Sequence, residues 1–288
     1  MQTNILVIGA LGNVGAEVVK CLQTKGVGVR AADLFPERVT QRFGEGVEPV
    51  YFDFSKPETY AAAFQGIHKL FLMRPPQITD IQKIMVPALE AAKAAGVKQM
   101  VFLSLIGIEQ NKIVPHYKVE QWLLSSGLDY TLLRCSFFMQ NLNTVHRAEI
   151  RDRDEIYVPV GKAKTSFLDV RDIGAVAALA LTQPGHEKKA YDLTGSEALD
   201  YYQVAELFSQ VLGRKITYKN PSGFGFFVRQ LQNKSKLMFA LVTTWLYSNT
   251  KSGMADVLTG EVEHLLGRKP ILMRQYIEDY KASWESNR

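Results

Sequence analysis

The sequence predicts an α/β fold: a Rossmann-type, doubly wound parallel sheet with a smaller C-terminal substrate lobe. Two observations predict it. Short β-rich segments alternate with longer helical segments through the first half of the chain, which is typical of βαβ units with parallel strands covered on both faces. Three glycines also stand where the first strand gives way to the first helix, in IGALGNVG. In open α/β sheets this junction is a ligand-binding position.

The predicted elements of the first half follow one another regularly. Six strands are predicted in NILVIG, VGVRAAD, EPVYFD, HKLFLM, KQMVFLSL and DYTLLR. Helices are predicted over 13–24, 56–64, 78–95 and 117–126. The last two end at Gly96 and Gly127, and glycine is common just after a helix. This half therefore has the pattern of a complete nucleotide-binding sheet.

The second half is mixed and has no glycine motif of its own. A short strand in SFLDV precedes a helix that begins near Asp172, and KAYDLTG is a further strand. We therefore expect residues 1–155 to form the dinucleotide-binding core, completed by 163–195, and 196–288 to form mainly the substrate-side lobe. The apolar run LMFALVTTWLY (237–247) is shorter than the ~20 residues that span a bilayer. We expect a buried or lid helix there, with membrane-surface contact as the less favoured alternative.

Composition excludes several functional classes. The chain has 288 residues, 47% of them hydrophobic and 22% charged, as in ordinary globular domains. Cys21 and Cys135 are far apart and not part of a CxxC or His/Cys cluster, so we expect no metal site and a reducing, cytoplasmic location. The net charge of +5 comes from scattered lysines and arginines. We therefore expect a small-molecule substrate, and neither a nucleic-acid nor a membrane partner.

The glycines have distinct physical roles at a dinucleotide site. Gly9 makes the tight turn out of the strand, Gly12 lets a pyrophosphate approach the backbone, and Gly15 lets the helix pack closely. The amide groups at the helix start and its dipole favour an anion. The alternative is a glycine-rich turn without a ligand. The cofactor-binding residues expected here are Gly9, Leu11, Gly12, Asn13, Val14 and Gly15.

Acidic and apolar residues at the ends of later strands indicate the rest of the cofactor site. Asp33 follows Gly15 by 18 residues, where a carboxylate accepts a hydrogen bond from the adenosine ribose 2′-OH and repels a 2′-phosphate. This favours NAD(H). NADP(H) stays possible because Arg30 and Arg38 are near, and Asp33 is alternatively a turn or cap residue. Further cofactor contacts are expected from Asp53 and Phe54 at the adenine, and from Met73 and Arg74 after the fourth strand.

These motifs, together with YFDFSKPETYAAAFQGIHKLFL, AAKAAGVKQMVFLSLIG, HYKVEQWLLSSGLDYTLLRCSFFMQN and LLGRKPILMRQYIEDY, resemble the NmrA-like family of atypical short-chain dehydrogenases/reductases. The resemblance covers nearly the whole chain. It implies an NAD(P)H-binding Rossmann protein, either a quinone or dye reductase or a redox sensor. The chain departs from many relatives in VRAADLFPER, where Leu34 replaces an arginine that favours NADP, and in Cys135, which replaces a proline.

Standard short-chain reductases pair a tyrosine with a lysine four residues later. Here Lys118 is present, but Val114 stands at the tyrosine's position, and Tyr117 points about 100° away on a helix. The remaining catalytic candidates are Lys118, His116 and Ser104. We expect Lys118 also to bind the nicotinamide ribose. We expect His116, whose unperturbed pKa is ~6.5, to donate a proton. A solvated lysine and a structural histidine are the alternatives.

The substrate pocket is expected to include Phe137, Phe138, Met139 and Asn141, which follow the sixth strand, although core packing is the alternative for each. The leading hypothesis is an NAD(P)H-dependent reductase of a small planar apolar acceptor. The second is a catalytically weak redox sensor with a protein partner, and the third is an isomerase or epimerase that retains its nucleotide. The sequence names neither the substrate nor the oligomeric state.

Overall fold

A computed structural model describes residues 3–233 and 237–285. A seven-stranded parallel sheet forms its centre, in the order β3-β2-β1-β4-β5-β6-β9. The strands are β1 (Ile5–Ile8), β2 (Val29–Asp33), β3 (Val47–Tyr51), β4 (Lys69–Leu72), β5 (Gln99–Leu105), β6 (Asp129–Cys135), β7 (Glu155–Ile156), β8 (Thr165–Ser166), β9 (Lys189–Leu193), β10 (Ala198–Leu199) and β11 (Thr217–Tyr218). The predicted α/β Rossmann-type fold is confirmed.

The described part of the chain contains thirteen α-helices. They are α1 (Asn13–Thr24), α2 (Pro36–Phe43), α3 (Tyr60–Phe64), α4 (Val86–Ala94), α5 (Pro115–Ser125), α6 (Asn141–Thr144), α7 (Arg147–Arg153), α8 (Val170–Thr182), α9 (Tyr201–Leu212), α10 (Gly223–Gln232), α11 (Leu237–Asn249), α12 (Glu261–Leu266) and α13 (Met273–Asp279). The bounds of α1 match the predicted 13–24, whereas α2 was not predicted.

The chain divides into two compact units. The first contains Met1–Cys135 and Val170–Leu193, and the second contains Ser136–Asp169 and Thr194–Arg288. These limits differ from the predicted ones, because residues 136–155 belong to the second unit rather than to the dinucleotide-binding core. The returning segment supplies α8 and β9, and β9 pairs in parallel with β6. The chain therefore leaves the first unit and returns to complete its sheet.

The core of the first unit lies on both faces of the sheet. All four residues of β1 are buried, as a central parallel strand requires. On one face α1 packs closely on α8, where a Cβ added to Gly174 would lie only 2.7 Å from Glu17 Cβ. Gly174 therefore allows a close helix–helix approach that no larger residue would permit without movement. This packing holds the first helix, and with it the glycine loop, against the sheet.

The apolar run 237–247 is exposed, so the expectation of a buried helix is wrong, whereas the alternative of a lid helix stays a prediction. It forms α11 in the second unit, and most of its large apolar side chains are in contact with solvent. No helix in the described ranges has the length and apolar character needed to cross a bilayer. The buried core of the second unit is formed instead by residues such as Phe208, Tyr276 and Trp284.

Candidate dinucleotide-binding site

The glycine loop lies where the sheet order reverses. β1 pairs with β2 on one side and with β4 on the other, so β2 and β4 leave a crevice beyond the carboxyl end of β1. Gly9 has φ of +71°, a conformation that side-chain-bearing residues rarely adopt. A Cβ at Gly9 would also lie 2.1 Å from Met73 Sδ. Met73 therefore lies against the glycine loop, at the β4 side of the crevice.

Gly12 and Gly15 have different surroundings. A Cβ added to Gly15 would lie 2.1 Å from the Gly9 carbonyl oxygen, so Gly15 is required for packing of the loop on α1. A Cβ at Gly12 would meet only the same oxygen, at 3.2 Å. Gly12 is the N-cap of α1 and offers no side-chain oxygen to the helix. The first amide groups of a helix have no intrahelical acceptor, so this end of α1 fits a phosphate.

Asp33 is held against the glycine loop. Its Oδ2 accepts a hydrogen bond from the Leu11 N–H at 3.1 Å, and its Oδ1 accepts one from the Leu34 N–H at 2.8 Å. Each carboxylate oxygen can accept a second hydrogen bond. The contact with Leu11 places the carboxylate beside the loop, the position that an adenosine ribose occupies in this type of fold.

The arginines near Asp33 are not equivalent. Arg30, an alternative phosphate partner in the sequence analysis, pairs with Glu48 and donates to the carbonyls of Ala62, Ala63 and Gln65. Arg30 is thus engaged in contacts within the protein. Arg38 stacks its guanidinium over Phe35 at 4.7 Å. Arg42 donates a hydrogen bond from Nη1 to the Leu11 carbonyl at 3.0 Å. Sequence reasoning missed this residue, although its position one helical turn after Arg38 could have indicated that it lies on the same side of the helix.

The structure corrects one of the two predicted adenine contacts. Phe54 is buried in the core, edge-to-face with Phe52 at 4.8 Å, and so does not lie beside an adenine ring. Asp53 Oδ1 accepts hydrogen bonds from the Ser55 N–H at 2.8 Å and the Ser55 hydroxyl at 2.7 Å. Asp53 thus forms a local turn with Ser55, and its predicted contact with the adenine stays a prediction.

Arg74 and His116 form a polar pair at the carboxyl edge of the sheet. Arg74 Nη1 donates to carbonyls of its own loop, including that of Ile78 at 2.7 Å. Burial, and secondarily the positive charge of Arg74, lower the pKa of His116 to about 3. The imidazole is therefore neutral at physiological pH, which corrects the expectation of a near-neutral proton donor. Arg74 Nε and His116 Nδ1 are buried without a hydrogen-bond partner among the described residues.

Ser104 has an internal partner. It is fully buried in β5, and its hydroxyl donates to Glu120 Oε1 at 2.5 Å. Arg134 binds Glu120 through two nitrogens, at 3.1 and 2.8 Å, and also contacts Glu109. Burial raises the pKa of Glu120, although the bond from Ser104 opposes this. Ser104 is thus a structural residue rather than the predicted catalytic one, and sequence reasoning missed Glu120.

Lys118 lies on α5 with an exposed side chain, two residues after His116. Val114 is the N-cap of the same helix. The standard tyrosine–lysine pair is therefore absent in the structure as well as in the sequence. Cys135, the other departure from the family, is buried at the end of β6, where burial raises the pKa of its thiol.

The four predicted substrate residues belong to the second unit. Phe137 and Phe138 are half-buried, and the Phe137 ring lies 6.2 Å from that of Tyr247. Asn141 is half-buried at the start of α6. Met139 is fully buried in the core of the second unit, which supports the alternative of ordinary packing. In residues 3–233 and 237–285, no cluster of His, Cys, Asp or Glu could hold a metal ion.

Comparisons with known proteins agree with this geometry. The chain is 36% identical to the NAD(P)H azoreductase of Xenophilus azovorans over 221 residues, which cover 74% of this chain and 76% of that protein. Its fold is similar to that of the Citrobacter sp. triphenylmethane reductase complexed with NADP(H), with a TM-score of 0.82 and 24% identity over 94% of this chain and 98% of the other.

It is also similar to the Escherichia coli NADPH-dependent quinone oxidoreductase complexed with NADPH, with a TM-score of 0.86 and 23% identity over 96% and 99% of the two chains. At these identities the two structures show the fold alone. The NmrA-like family model matches residues 1–262, nearly the whole chain. Together with the glycine loop at the β1–β4 reversal, this match shows that the chain belongs to the NmrA-like family.

Proposed function

We propose that this protein is an NAD(P)H-dependent reductase of a small, planar, apolar acceptor such as a quinone or a dye. The observation that carries the proposal is the cradle at the start of α1, where Gly12 leaves the amide groups of the helix accessible. The 36% identity to an NAD(P)H azoreductase supports the reaction class. Hydride transfer requires only that cofactor and acceptor are placed together.

Different residues of the first unit bind different parts of the cofactor. When bound, NAD(P)H supplies the hydride. The amide groups of Asn13 and Val14, aided by the α1 dipole, hold the pyrophosphate. Asp33 accepts a hydrogen bond from the adenosine ribose, and Met73 closes the crevice beside Gly9. Each of these groups lies at the carboxyl edge of the sheet, so a single extended ligand can reach them in turn.

We infer that NADH is preferred to NADPH. The Asp33 carboxylate, fixed by Leu11 and Leu34, repels a 2′-phosphate by ~1–2 kcal/mol, which corresponds to about a tenfold preference or somewhat more. Titration with both nucleotides measures this preference, and the Asp33→Ala variant should bind them about equally. Tighter binding of NADPH by the natural protein would contradict the inference, and Arg42 would then become the phosphate partner.

At the nicotinamide side, Lys118 and His116 have different roles. Lys118 is exposed and charged, and it binds the ribose hydroxyls. His116 is neutral, so its unpartnered Nδ1 makes a hydrogen bond with the ligand rather than transferring a proton as a cation. Burial, with the positive charge of Arg74 as the smaller cause, lowers the pKa of His116 and keeps it neutral. Reduction of a quinone or dye makes small demands on acid catalysis, and the acceptor takes its proton from solvent.

Single-turnover oxidation of bound NADH by a quinone or an azo dye tests the proposal. Lys118→Ala should weaken NADH binding by roughly tenfold or more, since a hydrogen bond from a charged group contributes ~1.5–3 kcal/mol. The rate of hydride transfer at saturating NADH should fall further, because the ring is misplaced. Lys112→Ala, which removes another exposed lysine just before α5, is the matched control and should change neither.

A redox sensor is the second candidate. The specific observation in its favour is that the tyrosine position holds Val114 and that Ser104 is engaged with Glu120. A sensor binds NADH without oxidising it. If the natural protein binds NADH well but none of a panel of quinones and dyes is reduced, the sensor replaces the reductase.

A further inference from the structure

Helix α11 (Leu237–Asn249) is apolar over most of its surface and exposes much of that surface to solvent. A surface helix normally turns its apolar stripe toward the protein and its polar residues outward. In α11 the residues that face inward are small or polar, and Ala240, Tyr247 and the following Thr250 are buried. Apart from Ser248, the exposed side chains described in this helix are large and apolar: Leu237, Met238, Phe239, Leu241, Val242, Trp245 and Leu246. We call these seven residues the apolar face.

Contacts within the second unit hold the helix in this orientation. The Tyr247 hydroxyl lies 2.7 Å from His146 Nε2, and both side chains are buried. The Tyr247 ring also contacts Phe226 edge-to-face at 5.5 Å. Rolling α11 inward would break this buried hydrogen bond and leave polar atoms without partners, which is costly. The apolar face is therefore held outward.

The segment that contains α11 is strongly basic. From Leu207 to Ala255 the sequence has no Asp or Glu but seven Lys and Arg residues. In the sequence, Lys234 and Lys236 lie within three residues before Leu237, and Lys251 lies two residues after Asn249. Two of the arginines pair with acids outside this segment, Arg229 with Glu155 and Arg214 with Asp154. The segment also contains five lysines and no acidic residue, so its sequence carries an excess of positive charge.

We propose that the apolar face docks on the surface of an anionic membrane. A helix of 13 residues is about 20 Å long, less than the ~30 Å hydrocarbon core, so it lies in the interface instead of spanning it. Apolar residues with an interfacial tryptophan and flanking lysines are the combination that binds anionic lipid surfaces. This revises the expectation of no membrane partner, and it is independent of the proposed reductase activity.

A second copy of the chain is a less suitable occupant. A symmetric dimer places the same patch of each copy against the other. Pairing through α11 would bring two sets of flanking lysines together, and like charges in an interface are unfavourable. An anionic surface instead attracts the lysines and covers the apolar face in the same step. Charge complementarity therefore selects the lipid surface.

Vesicle sedimentation with the full chain tests the proposal. The protein should bind vesicles that contain phosphatidylglycerol. Its affinity for vesicles of pure phosphatidylcholine should be lower by about tenfold or more. Leu241→Glu should lower partitioning onto the anionic vesicles by about tenfold or more. Leu124→Glu is the matched control: Leu124 is on α5 and, like Leu241, is 47% exposed. This control should bind as the natural protein does, and equal loss in both variants would overturn the proposal.

Tryptophan fluorescence gives a second readout. Trp245 is 53% exposed, whereas Trp284 is fully buried. Adding anionic vesicles should shift the emission to shorter wavelength, and this shift should vanish in Trp245→Phe. Light scattering without lipid tests the competing occupant. A dimer that Leu241→Glu dissociates, combined with no binding to anionic vesicles at low salt, would overturn the proposal in favour of self-association.

Discussion

Substituting alanine separately for Gly12 and Gly15 separates binding from folding in the glycine loop. The Cβ of Gly15→Ala would lie 2.1 Å from the Gly9 carbonyl oxygen, well inside any real contact. The loop or α1 must move by about 1 Å, and overpacking of this kind costs ~1–3 kcal/mol. For a domain of this size the melting temperature should fall by roughly 2–12 °C.

Gly12→Ala should have the opposite effect: it should leave the stability of the protein unchanged and weaken cofactor binding. Gly12 has φ of −72° and ψ of 169°, which an alanine adopts without strain. Its Cβ would lie 3.2 Å from the Gly9 oxygen, a contact that small movements relieve. The loss of chain entropy in the unfolded state adds ~0.4–1 kcal/mol of stability, so the net change should be near zero. The Cβ nevertheless occupies the space into which the pyrophosphate must come.

Calorimetric melting and NADH titration of both variants are the assays. Loss of one hydrogen bond between an amide group and a phosphate corresponds to ~1.5–3 kcal/mol, so Gly12→Ala should raise the Kd by roughly 10- to 150-fold at unchanged melting temperature. Gly12→Val should raise it further. A Gly12→Ala protein that melts normally and binds NADH with the natural affinity would refute the phosphate site at α1.

Three other predictions concern His116, Ser104 and Glu120. The pKa of His116 falls from 6.5 to about 3 on folding, so below pH 6.5 the unfolded chain binds a proton that the folded one does not, and stability should decrease toward pH 3 by at most ~1.4 kcal/mol per pH unit from this group. His116→Gln should reduce that slope in urea titrations, whereas the exposed-site control His264→Gln should not. Ser104→Ala should cost ~1–2 kcal/mol of unfolding free energy with turnover unchanged; a loss of turnover above tenfold in a folded protein would restore Ser104 to catalysis. Glu120→Ala should destabilise the chain by about 3 kcal/mol or more, because it leaves Arg134 partly buried without its bidentate partner.

The features that follow from local patterns were predictable from the sequence. Alternating β-rich and helical segments predicted the parallel sheet, and the bounds of α1 were correct because glycines and a regular apolar face mark both ends. Asp33 was placed at the end of β2 by its spacing from Gly15. These predictions depend on periodicity and turn chemistry, which act over a few residues.

The features that depend on tertiary contacts were not predictable. Phe54 looks the same in the sequence whether it contacts a ligand or packs on Phe52. The low pKa of His116 depends on burial and on Arg74, which is 42 residues earlier in the chain. Ser104 was misassigned because its partner Glu120 comes from another element. For the apolar run of α11 the sequence left a buried helix and a lid helix open, since no local signal tells which side of a helix meets the protein.

The route of the chain through its two units has a consequence for biosynthesis. The sheet is incomplete until β9 has been made, because β6 otherwise ends the sheet with an open edge. Residues 136–169, which belong to the other unit, emerge from the ribosome before that strand does. Helix α1 is among the first segments synthesised, and about 150 further residues must be made before its neighbour α8 is present. A chain terminated near residue 160 should therefore expose both the β6 edge and the α8-facing side of α1, and a nascent chain of that length should be prone to aggregation and in need of chaperones.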